Sequence, residues 1–148
     1  MTVENLINLN VSYDVINPND LISWVGSPSV GGISTFLGTT RETEGDLIVE
    51  HLEYEAYIPL CLKYFRELCE ETFQKYKVTK ICIHHRIGIV KVGETSIMIA
   101  VSGTHRKEPI IAVEYIINEI KANAAVWKKS IYSNAEPAYK VNSECSWR

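Results

Sequence analysis

The sequence predicts an α+β fold, a largely antiparallel sheet with two main helices. Three observations carry this. Thr95 to Ser102 is almost wholly apolar, the composition of a central strand. Leu47 to Tyr57 alternates, with Leu52 and Tyr54 between Glu53 and Glu55, as a half-buried strand does. Two long stretches of helical period each open on a proline, Pro59 and Pro109.

The elements follow in chain order. Asn10 to Val15 alternates, with Val11, Tyr13 and Val15 on one face, and suits a strand. Asn17-Pro18-Asn19-Asp20 resembles a helix start leading into Leu21 to Val25. Gly26 to Gly32 is loop-like. Ile33 to Leu37 predicts a strand and Gly38 to Gly45 a polar connection. Pro59 opens a helix to about Tyr76, with Leu62, Phe65, Cys69, Phe73 and Tyr76 along one stripe. Thr79 to Ile87 is a strand with Ile81, Ile83, His85 and Ile87 in register. Val90 to Glu94 is a turn. Pro109 opens the second helix, whose core stripe is Ile110, Val113, Ile117, Ile120 and Ala124. Beyond Ile131 few periodic signals remain apart from Tyr132, Tyr139 and Trp147.

At 148 residues, 46% of them hydrophobic, residues 1–148 read as one domain able to bury a core. The first residues lack a basic stretch followed by a long apolar run, so a cytoplasmic protein without a signal peptide is expected. No apolar run approaches the ~20 residues that span a bilayer, so no membrane partner is expected. Cys61, Cys69, Cys82 and Cys145 show neither CxxC pairing nor metal spacing and read as reduced, mostly buried thiols. Adjacent His84 and His85 point to opposite faces of a strand, so no metal is expected.

The net charge of −3 hides an asymmetry. Residues 1–74 hold 3 basic and 12 acidic side chains, and residues 75–148 hold 12 basic and 6 acidic. This is either a chance distribution over solvated faces or a C-terminal half that meets an anion. The overall acidity argues against a general nucleic-acid binder.

Ser102-Gly103-Thr104-His105-Arg106 joins an apolar strand to a helix, and Lys121 and Lys128 follow seven residues apart. On an unbroken helix that spacing is about two turns, roughly 20° short of a full repeat, so the two lysines would share a face. A strand end, a helix start and convergent cations describe a site for an anionic ligand. A lone lysine beside a core stripe usually snorkels. Among other cations, a partly desolvated amine can act as base or nucleophile. Trp127 anchors Lys128, although Lys128 and Lys129 also fit an ordinary solvated pair. His105 and Arg106 each have an ordinary structural explanation, a hydrogen-bonded histidine and an arginine paired with Glu108 or Glu114. Together they fit an anion clamp, because a guanidinium suits bidentate phosphate contact. Gly38-Thr39-Thr40-Arg41 offers backbone N–H groups, two hydroxyls and a guanidinium after a strand, a weaker phosphate-cradling signal.

These residues, with Phe36 to Arg41, Leu52 to Tyr57, His85-Arg86-Ile87-Gly88 and Lys121 to Trp127-Lys128-Lys129, resemble the large, catalytic subunit of molybdopterin synthase. The likeness runs from about Gly31 to Lys129, with weaker agreement at Glu144 to Trp147. It implies an α/β hammerhead fold and a homodimer at the core of a heterotetramer. The implied partner is a small ubiquitin-like sulfur carrier whose C-terminal Gly-Gly ends in a thiocarboxylate. The implied substrate is the pterin phosphate precursor Z, which gains two sulfurs to become molybdopterin, with no cofactor. By position, Lys121 and Lys128 match catalytic lysines. Thr39, Thr40, Arg41, His105, Arg106, Lys129 and Ser130 fall in substrate-binding segments, and the likeness implies that Arg41 reaches the pocket of a neighbouring subunit. Two departures stand out. Ala125 occupies a place where the family often has proline, which lets the helix continue past Lys121. Ser130 stands where the family often has glutamate. The competing readings are an enzyme acting on another phosphorylated small molecule and a non-catalytic module that docks a protein tail.

Overall fold

The structure, a computed structural model, describes residues 3–140. After a 3₁₀ turn at Val3–Leu6 come β1 (Ile7–Ser12), α1 (Pro18–Val25), β2 (Gly32–Thr39), β3 (Thr43–Glu44), β4 (Leu47–Ala56) and α2 (Ile58–Lys75). Then follow β5 (Lys80–Arg86), β6 (Gly88–Lys91), β7 (Thr95–Gly103), α3 (Lys107–Asn123), β8 (Val126–Tyr132) and β9 (Ala138–Lys140). Glu144, Cys145 and Trp147 lie outside the described residues.

Two sheets result. The first runs β1-β5-β7-β2, with β1 parallel to β5 and the other pairs antiparallel. The second runs β3-β4-β8-β9, with β6 also on β4, and all its pairs are antiparallel. The architecture is α+β, as the alternating strands and two long helices require.

The composition of β7 has a direct cause. Its eight residues Ser96–Gly103 are buried because both faces of the strand are covered. On one side α2 and α3 pack Phe65, Leu68 and Ile116 against Ile81, Ile83, Ile99 and Val101. On the other, α1 sets Leu21 and Val25 against Cys82, Met98 and Ala100. The expected start of α1 is as the sequence indicates: the Asn17 side chain accepts the Asn19 N–H at 3.1 Å.

Several boundaries differ from expectation. β1 lies earlier, at Ile7–Ser12, and Tyr13 and Val15 are each 72% exposed. Their alternation continues past the point where β5 offers a partner, since the pairing ends at Ser12 opposite Arg86. α3 starts at Lys107, placing Pro109 inside its first turn, and buries Pro109, Ala112, Val113, Ile116 and Ile120 rather than Ile110. The polar connection after β2 contains the short strand β3. The turn at Val90 to Glu94 is preceded by β6, which claims Val90 and Lys91.

The largest difference follows Lys121. The helix stops at Asn123, with Ala124 in extended conformation at φ −70° and ψ 142°. No proline enforces this. Val126 to Ile131 instead pair along β4, residue against residue from Ala56 to His51. The backbone hydrogen bonds of that ladder, together with burial of Ser130 and Tyr132 against β4, outweigh the helix propensity of alanine.

Candidate active site

A cleft of about 590 Å³ opens where the two sheets meet. One wall is the end of β2 with the connection after it, another the C-terminal turn of α3, and a third the paired strands β4 and β8. Ile117, Ile120 and Ala124 give it an apolar floor, and Arg41, Lys121 and Lys128 bring three cations to its lining. Glu44 is the one carboxylate on that lining among the described residues.

Each cation is placed by a different local device. Arg41 follows a register shift between Gly38 and Thr39. A side chain at Gly38 would meet Ile97 Cγ2 at 2.8 Å, so glycine lets the two strands close at this irregularity. The next residue is pinned twice: the Thr40 N–H donates to Glu94 O at 3.1 Å, and the Gly93 N–H donates to Thr40 O at 2.9 Å. Arg41 therefore leaves a fixed point. Lys121 is exposed in the last turn of α3, the end at which helix dipoles favour a cation. Lys128 sits mid-strand in β8, directly across from Tyr54.

The wall beside Lys128 is a polar chain. The Tyr54 hydroxyl donates to Ser96 Oγ at 3.4 Å, and Ser96 Oγ donates to Gly38 O at 3.2 Å. Burial raises the Tyr54 phenol pKa, the Ser96 bond opposes this, and the Glu44 charge adds to the rise. His85 packs edge-on to Tyr54, ring centroids 5.2 Å apart, and its Nδ1 donates to Arg86 O at 2.8 Å. Burial pushes the His85 pKa down to about 4, only partly opposed by that backbone bond, so the ring is neutral near pH 7. His84 points away and bonds Asn8 Oδ1 at 2.8 Å.

The structure does not bring all the expected residues together. Thr39 lines the cleft, but Thr40 is buried and its hydroxyl has no hydrogen-bond partner among the described residues. Lys129 lies across from Tyr139 in β9, its Nζ 5.5 Å from the Tyr139 ring centroid. Ser130 is fully buried and donates to Glu44 Oε1 at 3.0 Å. His105 and Arg106 are exposed at the opposite end of α3. Their loop lies against the start of β2, where a Cβ on Gly31 would collide with the Thr104 carbonyl. Lys121 lies fifteen positions after Arg106, a helical rise of about 22 Å at 1.5 Å per residue. Arg41 lines the cleft of its own chain alongside Lys121.

The sequence reading missed Glu44, Tyr54 and Ser96. Glu44 has no distinguishing spacing, and the alternation around Tyr54 is equally explained by sheet packing.

The fold and the cleft define a class: an α+β protein with a small-molecule-sized site whose charged lining is mainly cationic. The comparisons with known proteins narrow it. The MoaE protein family matches residues 11–123. The bovine molybdopterin synthase catalytic subunit is 41% identical over 140 residues, 94% of this chain and 74% of the relative. The Arabidopsis thaliana catalytic subunit is 39% identical over 142 residues, 95% of this chain and 71% of the relative. Among solved structures, molybdopterin synthase from Staphylococcus aureus superposes with a TM-score of 0.84 at 32% identity, over 88% of this chain and 94% of that one. A complex of subunits 1 and 2 of the molybdopterin-converting factor from Helicobacter pylori shares the fold, with a TM-score of 0.74 at 19% identity over 95% of this chain and 93% of that one.

The chain belongs to the MoaE family, the catalytic subunits of molybdopterin synthase. Members of this family are enzymes of molybdenum cofactor biosynthesis.

Proposed function

We propose that this chain makes the dithiolene of molybdopterin, moving two sulfurs onto precursor Z, one from the C-terminal thiocarboxylate of each of two copies of a small ubiquitin-like carrier. The observation that carries this reading is the convergence of Arg41, Lys121 and Lys128 on one cleft with an apolar floor. The volume falls within the usual range for small-molecule sites, roughly 300–1,000 Å³. Cations suit the phosphate and the negative charge that develops as sulfur adds. The apolar floor suits a flat heterocycle.

The three thiols among the described residues favour an external sulfur source. Burial pushes Cys61 up to about 11, and Cys69 and Cys82 up to about 12, so these thiols stay protonated and inert. Sulfur then enters already activated, on the carrier. Lys121 and Lys128 move protons or take the carrier's acyl group after sulfur departs. Arg41 holds the anionic substrate.

The active form is a homodimer carrying two small subunits. In it, His105 and Arg106 of one copy serve the cleft of the other, because a helix length separates them from the cleft of their own chain. Arg41 and Lys121 act within one chain. Reconstitution tests the function: this protein, a thiocarboxylated carrier and precursor Z are combined and molybdopterin is assayed. Product formation is expected. Tight nucleotide binding with no pterin conversion would replace this reading by another phosphate-handling enzyme.

A further inference from the structure

The carboxylate in this cationic cleft is the observation that the sulfur-transfer chemistry leaves unused. Glu44 ends a two-residue strand and is held from both sides. Ser130 Oγ donates to its Oε1 at 3.0 Å, and the Tyr132 hydroxyl donates to its Oε2 at 2.6 Å. The second distance is that of a short, charge-assisted O–H···O⁻ bond. Both donors belong to buried residues of β8, so the carboxylate is fixed to the strand rather than swinging with its hairpin.

Strand geometry says what lies next along that row. Side chains two apart share a face, so Lys128, Ser130 and Tyr132 form one line on β8. Residues two apart are separated by about 7 Å of strand, within reach of a lysine side chain. Two hydroxyls occupy one lone pair on each oxygen, and an ionised carboxylate accepts about four bonds. The two hydroxyls do not exhaust it. The charge is felt in the cleft: Glu44 contributes to the raised Tyr54 pKa, and Tyr54 is the residue paired with Lys128 across the ladder.

We propose that Glu44 is a positioning residue, whose carboxylate, clamped by Ser130 and Tyr132, holds the Lys128 ammonium charged and aimed into the cleft. The inference rests on the proposed function for its consequence in catalysis. It divides the work between the two lysines. Lys128 acts as a fixed cation and proton donor beside the carboxylate. Lys121, arriving from α3, is the one available as base or acyl acceptor. The other charged or titratable groups around Lys128 are Arg41 after β2, Tyr54 on β4, His85 on β5 and Lys121 on α3, with Lys140 of β9 as its register partner on the other side of β8. His85 is neutral near pH 7, leaving Glu44 as the anion among them.

The test is the amine reactivity of Lys128, read by mass spectrometry after brief acetic anhydride labelling at pH 8, with Lys121 as internal reference. Glu44→Gln keeps the shape and removes the charge. The Lys128-to-Lys121 labelling ratio should rise about fivefold or more, because the carboxylate no longer favours the unreactive ammonium. Glu44→Ala combined with Ser130→Glu returns a carboxylate from the other side of the 3.0 Å contact and should bring the ratio back toward wild type. If Glu44→Gln fails to fold, Tyr132→Phe is read instead, and loss of the 2.6 Å bond should raise the ratio about twofold. In turnover, Glu44→Gln should lower kcat about tenfold or more with little change in KM, as expected for a group that acts through a catalytic residue. An unchanged labelling ratio, with only a lower melting temperature, overturns the proposal and makes Glu44 a brace. The labelling needs no substrate. Failure of wild-type reconstitution therefore refutes the sulfur-transfer reading alone.

Discussion

The two ends of α3 are both cationic, yet the structure treats them oppositely. At the C-terminal end Lys121 joins Arg41 and Lys128 around a walled cleft with an apolar floor. At the N-terminal end His105 and Arg106 stand exposed on a loop against the start of β2, outside that cleft. A cation concentrates function when other elements wall it in. The cleft end has β2, β4 and β8 around it. Among the described residues, the loop end has the start of β2 against it. Nearness in sequence pointed the other way, since His105 and Lys121 are joined by a single helix.

The comparison breaks most sharply at Lys121. Lys121→Ala should lower turnover by about 10²–10⁴-fold, the usual contribution of a proton-transferring or nucleophilic group. Circular dichroism should be unchanged, because the side chain is exposed. Near-wild-type turnover in the reconstituted assay would place this end of α3 on a par with the loop.

Subunit mixing separates the ends directly. A protomer with His105→Ala and Arg106→Ala is exchanged with one carrying Lys121→Ala. One cleft of the mixed dimer then has an intact lysine and an intact partner loop, and activity should return to about half the wild-type level per dimer. Mixing Arg41→Ala with Lys121→Ala should restore nothing, because both residues line the cleft of their own chain. The reverse pattern would put Arg41 in the neighbour's site.

Acid should weaken the cleft end. The folded pKa of His85, about 4, lies below the unfolded value near 6.5, so the unfolded chain binds a proton more readily. The stabilisation is complete above pH 6.5 and is lost as pH falls toward 4. The full difference is about 3 kcal/mol. Urea melts at pH 7 and pH 4 measure the loss, and His85→Gln should flatten that part of the profile. An equal pH slope in wild type and variant would assign the acid sensitivity elsewhere.

Smaller effects are expected outside the cleft. Arg106→Ala should weaken precursor Z binding by about ten- to hundredfold, the loss of one charge-assisted contact worth roughly 1.5–3 kcal/mol. Calorimetric titration gives this number, and unchanged affinity would leave Arg106 with no part in binding. Lys129→Ala removes only an exposed-edge contact with the Tyr139 ring, and turnover should stay within about twofold of wild type.

Local patterns along the chain carry the fold class and most of its elements. The apolar run at Thr95 to Ser102, the stripes after Pro59 and Pro109 and the Asn17 cap are local patterns, and they describe local facts. The motif order also carried the family. Long-range pairing sets where α3 stops and which cations meet. Alanine at positions 124 and 125 permits a helix, and only the ladder of β8 on β4 converts that stretch to a strand. That choice turns Lys128 from a helix neighbour of Lys121 into a residue facing it across a cleft. It also buries Ser130, expected at the substrate, beneath Glu44. Periodicity reports the face a residue presents to its own element. Convergence of side chains from several elements depends on pairings distant in sequence, and no window of neighbouring residues contains them.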